Sequence, residues 1–462
     1  KVYYMKFLSK KIYILLFLLT ILLVESKVFA KNNKIKYTRE NISNYFLGII
    51  SVNKDQNNKA FSHLKKVKSL KDKHSKFNIE FIRTLVLLEK FEEAVDFSKK
   101  TWTEEDLFFE MDLLLGLDFF LKKDYANSEK HFRRLNEISR YNLFFSDFIG
   151  NVLLAWNEAL KENKDGSFNF LNNVPNTYNH LTKTQKSFLQ CYFETDNTQS
   201  SFEDLVQNEN YDFSRYNFFL INYLISKNNI SEAKKIIKNA RKQNNSNLLL
   251  KQIEGFILNS KQDRIIDFFN CKNPKDSIAE FFYVIANLYS SEKDYQMSNF
   301  YLRISLFLND KFLPNKALLA ENFYYQKKNE LSKKIYSSLK SIGPIYSWYA
   351  SKSISTILLE EKGKKHSISN FKKEFDLLKN PKVEHFYELA NFYKDNEYYE
   401  KSIEYYSLAL QKITKEHILV PKILDRRGTS YERLGDWKSA EKDLTESLKI
   451  LPDQPHVLNY LA

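Results

Sequence analysis

Catalysis or metal binding in this chain would have to rest on 8 His, 2 Cys and 57 Asp and Glu. Such groups work only when a helix, strand or turn brings them to one face, which imposes recognisable spacings. The sequence has no HExxH, no GxSxG, no GxGxxG and no GxxxxGK[ST]. His385 and His417 lie near glutamates but have no partner at metal-ligand spacing, so both are expected on helix faces. The acidic pairs Glu92 with Glu93 and Glu104 with Glu105 suit solvated faces or first helical turns, where the helix dipole favours carboxylates. Cys191 and Cys271 lack any CxxC or Cys/His spacing and imply no metal site and no disulfide framework. Each is expected to pack as a small apolar side chain, with a single bridge between them left open. The expectation is no enzyme, no metal and no cofactor.

The elements that would carry these residues are helices. Only 9 Gly and 8 Pro leave few turn formers for a β-rich fold across 462 residues. That length exceeds one compact core and favours several domains or a repeat array. The net charge of +14 is mostly scattered Lys mixed with acids, so nucleic acid is not an expected partner.

Self-similarity carries the argument further. Small residues recur at Gly48, Gly116, Gly150, Gly255, Ala286, Ala320, Ala390 and Gly428, several of them 34 residues apart. A second set follows twelve residues later at Ala60, Ala94, Ser128, Ala233, Ser298, Ser332, Ser367, Ser402 and Ala440. Two small sites per repeat imply two close helix contacts, because large side chains would push the axes apart. Phe91, Tyr125, Ile230, Tyr295, Tyr399 and Trp437 stand three residues before the second site and are expected to open the second helix. Short polar turns then force antiparallel pairs, which gain stability by stacking neighbour on neighbour.

The segment 421–454 resembles a tetratricopeptide repeat, with Gly428, Tyr431, Gly435, Asp436, Trp437, Ala440, Leu444 and Pro452 at the signature positions. Gly116, Ala286, Tyr289, Ala320, Ala390 and Tyr393 occupy matching places in other copies. The resemblance implies an all-α, right-handed superhelical solenoid of about 11–12 antiparallel helix pairs. It divides the chain into repeats at 31–160, degenerate helical repeats at 161–213, repeats at 214–454, and the start of a truncated further repeat at 455–462. Residues 1–30 have the layout of an export signal: lysines, an uncharged run from Ile12 to Val24, then Ala30, with Met5 as the expected start. The alternative is an uncleaved inner-membrane anchor through 12–24.

In this family, side chains beside the first small site face the inner wall and hold peptides or partner helices. That implies a partner-binding groove bearing Asn151, Asn222, Asn287 and Asn391, with Phe218, Tyr283 and Tyr387 beside three of them. Tyr283 and Leu318 stand where a clamp for terminal carboxylates would have Lys and Asn, which disfavours that mode. Together with the export signal, the resemblance implies a scaffold or adaptor for other proteins in the bacterial periplasm or cell envelope. Its alternative is the adaptor half of a larger enzyme or export machine whose active module follows Ala462.

Overall fold

A computed structural model describes residues 37–72, 74–142, 145, 147–207, 214–243 and 246–461. The expected export signal, Ile12 to Val24 included, lies outside the described residues, as does Ala462. The described residues are helices and connecting turns with no strand, and no helix among them is long and apolar enough to cross a membrane. The chain falls into two compact units, Lys1–Met111 and Asp112–Ala462.

Among the described residues twelve helix pairs follow one another, and eleven of them share one kind of turn. A residue with positive φ sits between the two helices at Asp55, Glu89, Lys123, Glu162, Glu194, Asn228, Ser260, Lys293, Lys327, Gly363, Glu397 and Gly435. In eleven of the turns the next amide reaches back five residues, as in Lys90 N–H to the Leu85 carbonyl at 2.8 Å and Asp436 N–H to Tyr431 at 3.0 Å. This closes the first helix in the left-handed cap that satisfies its last carbonyls. The second helix then begins on the expected aromatic or apolar residue, as in Phe91–Thr101, Tyr125–Asn142, Tyr295–Leu308 and Trp437–Ile450.

Seven residues before the turn marker stands the first small site: Gly48, Gly116, Ala286, Ala320, Ala390 and Gly428, all buried. A Cβ added at Gly48, Gly116 or Gly428 would come within 2.5 Å of Leu64, 2.5 Å of Phe132 or 2.8 Å of Leu444. The second small site is as tight. Ser128, Ser332 and Ser367 donate their hydroxyls to the carbonyls of Gly116, Ala320 and Ser355, at 3.0, 2.8 and 2.7 Å. Serine serves as well as alanine here because the crossing brings a helix carbonyl, which has a second lone pair, within reach of its hydroxyl.

The same ruler corrects the expected register at two copies. Counting back from Glu162 and Ser260 gives Ala155 and Ile253, both fully buried, as the crossing residues. Gly150 therefore stands five residues early; its Cα faces Asn136 and the Phe132 carbonyl of the preceding pair. Gly255 stands two residues late, and a Cβ there would meet nothing. The stretch expected to be most degenerate forms two pairs with short second helices, Lys164–Asn172 and Thr198–Val206. The larger departure comes later, where Leu248–Leu258 is followed by a single turn, Asp263–Ile266.

Around that point the second unit does not stack strictly in sequence. Trp156 donates to Gln185 at 2.8 Å, and Gln185 donates to the Ser277 carbonyl at 3.4 Å. Phe188 lies 4.8 Å from both Phe219 and Phe269, and Phe148 lies 5.1 Å from Phe281. Helix Pro274–Ser291 thus packs on Ile149–Leu160 and Asn179–Tyr192, while Leu248–Leu258 packs on Pro344–Lys362. Cys191 and Cys271 are bonded to each other across 80 residues, so they are a bridge and not two packed thiols.

Candidate binding site

The folding-over of the second unit borders two open cavities that share Leu248. The smaller, about 330 Å³, is bounded by Arg215, Asn247, Tyr283, Asn287, Glu321 and Tyr346. Arg215 lies in the first turn of helix Ser214–Ser226 and pairs at 2.8 Å with Glu280 on Pro274–Ser291, so first helices of the sixth and eighth pairs meet directly. Its guanidinium also lies 5.3 Å from the ring of Tyr216 and 5.2 Å from that of Tyr283. Glu280 is completely buried; burial pushes its carboxyl up to about 7, against the pull of Arg215. Burial also raises the Tyr283 hydroxyl and the Glu321 carboxyl, and Glu321 accepts a hydrogen bond from the Tyr349 hydroxyl.

The larger cavity, about 1210 Å³, lies between Leu248–Leu258, Pro344–Lys362 and the start of Val383–Asp395. Its wall on the tenth pair carries Trp348, whose indole N–H donates to Glu388 at 3.1 Å, and Lys352, which pairs with the same carboxylate at 3.3 Å. His385 packs 5.0 Å from Trp348, accepts the Lys382 amide on Nδ1 at 2.9 Å, and has its pKa lowered by burial. No group of three or more His, Cys, Asp or Glu among the described residues could hold a metal ion.

The structure scatters the amides that the sequence groups together. Asn151 and Asn222 are buried: Asn151 accepts from Asn136 and donates to the Asn173 carbonyl, and Asn222 donates to the carbonyls of Ile265 and Phe269 at 3.0 and 2.8 Å. Phe218 is fully buried against Phe219 and Phe312. Asn391 is half-buried and accepts the Tyr406 hydroxyl at 2.6 Å, while Tyr387 packs on the Tyr406 ring. Asn287 alone among the four is exposed, and with Tyr283 it lines the smaller cavity. Arg215, Glu280 and Glu321 were not legible as a group, since helices brought together by the fold-over carry them.

Stacked antiparallel helix pairs that meet on small-residue crossings define a helical-repeat protein. Residues 384–411 match the family model of the tetratricopeptide repeat. No curated protein matches it. Solved structures to which it is similar include the APC/C hetero-tetramer Cut9–Hcn1, at 12% identity and a TM-score of 0.31, covering 90% of this chain and 81% of that one. YrrB, titled a TPR protein with an unusual peptide-binding site, is 14% identical with a TM-score of 0.28, covering 41% and 93%. PilF of Pseudomonas aeruginosa is 14% identical with a TM-score of 0.30, covering 54% and 96%.

Proposed function

We propose that this protein is a non-enzymatic scaffold that holds segments of partner proteins in the cell envelope. The observation that carries the reading is the pair of adjoining cavities walled by first helices of the repeats, with the exposed Asn287 amide and the Tyr283 ring at the smaller one. An amide can both donate to and accept from a peptide backbone, and the aromatic supplies apolar contact beside it. The Cys191–Cys271 bridge supports an oxidising compartment, as does the signal-like layout of residues 1–30.

Asn287 makes a clean test because its exposure predicts little effect on folding. Asn287→Ala is expected to leave thermal unfolding within about 0.5 kcal/mol of wild type. Recovery of partners from an envelope fraction should drop. Equal recovery of every partner by both proteins would remove Asn287 from the site, and a cytoplasmic full-length chain with reduced cysteines would reject the envelope location.

A further inference from the structure

The larger cavity contains a glycine that packing does not explain. Gly48, Gly116 and Gly428 are required by helix crossings, and Gly363 and Gly435 hold positive φ; Gly150, Gly166 and Gly343 each face side-chain atoms nearer than 3 Å. Gly255 lies inside helix Leu248–Leu258, away from the crossing residue Ile253, and a Cβ there would meet nothing within 4 Å. A helix-interior glycine is about 1 kcal/mol worse than alanine. Any side chain at this place would project into the cavity, so the glycine keeps the floor open to close approach by another chain.

The lining also has a sign. Arg241, Lys251, Lys261, Arg264, Lys340, Lys352 and Lys382 face the space, against Glu254, Glu384 and Glu388. Arg241 pairs with Glu254, Lys352 with Glu388 and Lys340 with Glu374, which leaves Lys251, Lys261, Arg264 and Lys382 against Glu384 and the balance positive. Lys251 is partly buried beside Gly255; burial, and then Arg241, hold its pKa below the ordinary lysine range, against the weaker pull of Glu388 and Glu384. A carboxylate brought in by a ligand would relieve that desolvated charge. Apolar contact is available at Leu258, which is 73% exposed, and at the half-buried Ile345.

We propose that this cavity receives an internal acidic segment of a partner protein, anchored by a large apolar side chain laid over Gly255 with its carboxylates toward Lys251 and Lys261. This deepens the protein-holding function and rests on it. The volume suits a segment of about ten residues, since a helix some 10 Å across and 1.5 Å per residue fills roughly 1,200 Å³ over that length.

The test uses the full chain with its bridge intact and two fluorescent, end-capped peptides of about twelve residues. One is built from Glu, Leu and Trp; the other has Lys for every Glu. Fluorescence anisotropy should show the acidic peptide binding at least about 100-fold more tightly at low salt, with affinity falling at least about 10-fold toward 0.5 M salt. Gly255→Trp should weaken it at least about 10-fold while melting at or above the wild-type temperature. Lys251→Gln should weaken it several-fold, and Lys251→Arg should restore most of that loss.

Equal binding of the two peptides would overturn the charge argument. Undiminished binding to a folded Gly255→Trp variant would overturn the site, and no binding of the acidic peptide would overturn the proposal as a whole. If the acidic peptide fails while partner capture from the envelope fraction still depends on Asn287, only this inference falls and the scaffold reading stands.

Discussion

The twelfth and seventh helix pairs begin alike and finish differently. In the twelfth, Val420–Arg433 ends at the left-handed Gly435 and is covered by the 14-residue Trp437–Ile450, with Gly428 pressed on Leu444. In the seventh, Leu248–Leu258 ends at the left-handed Ser260, yet its second helix is the 4-residue Asp263–Ile266. The turn survives where the second helix does not. The cap is built from hydrogen bonds within five residues of chain, whereas the length of the second helix depends on what lies across from it. Where it shortens, the sixth and eighth pairs meet through Arg215 and Glu280, and the stack folds back on itself.

Opening the Cys191–Cys271 bridge should act most strongly on this comparison, because it joins the two ends of the irregular stretch. Closing an 80-residue loop lowers the entropy of the unfolded chain by about 4 kcal/mol in the chain-entropy account. The double variant Cys191→Ser, Cys271→Ser is expected to lose stability of that order in denaturant unfolding. Hydrogen exchange should rise in 179–271 well before 383–450. Uniform loosening of both regions would abolish the distinction.

Leucine substitution at the two glycines should give opposite signs. Gly428→Leu is expected to destabilise by roughly 1–3 kcal/mol through overpacking against Leu444. Gly255→Leu should be neutral or stabilise by up to about 1 kcal/mol, since it gains helix propensity and its Cβ enters open space. Thermal melts of the two variants side by side decide the matter, and equal destabilisation would mean that the seventh pair is packed like the twelfth.

The ion pair across the gap predicts a pH effect. Glu280 has a folded pKa raised to about 7 by burial, so the folded state holds its proton more tightly than the unfolded one. Stability from this group is full below about 4.5 and is lost as pH rises through about 7. Asp276, raised to about 6 by burial, acts in the same direction in a lower window. Above pH 6 the decline should therefore belong mainly to Glu280. Glu280→Gln, which mimics the protonated acid, should flatten it by on the order of 2 kcal/mol. An unchanged slope would place the charged form out of the low-dielectric contact.

The sequence displayed the regular part of this molecule because the same local demands recur there. Gly428 and Ala440 each answer one contact, Trp437 opens the second helix, and these places repeat at fixed intervals. It misdirected the reading at Gly150 and Gly255, where small residues of other origin fell near the expected interval; the turn residues Glu162 and Ser260 mark the true register but carry no type that a sequence would single out. The amides show the same division. Asn287 faces a cavity, while Asn151 and Asn222 are drawn into packing by carbonyls of Asn173, Ile265 and Phe269 that lie 22 to 47 residues away. No spacing rule encodes those partners. The fold-over that borders both cavities arises from Gln185, Phe188 and Cys191 meeting residues of the eighth pair and its approach, a relation between distant elements of the chain.

The left-handed turns have a use beyond shape. Ten of the twelve carry a side chain where glycine would sit without steric penalty, and each such residue holds a conformation unfavourable by about 1 kcal/mol. Glycine can therefore be introduced at Asp55, Lys123, Asn228, Lys327 or Glu397 one turn at a time, at points well separated along the array. Each change acts as a small local field on one unit of a linear chain of coupled units. How far the resulting protection spreads from its own turn would measure the coupling between neighbours directly, and the point where it stops spreading would mark the boundary of a cooperative block.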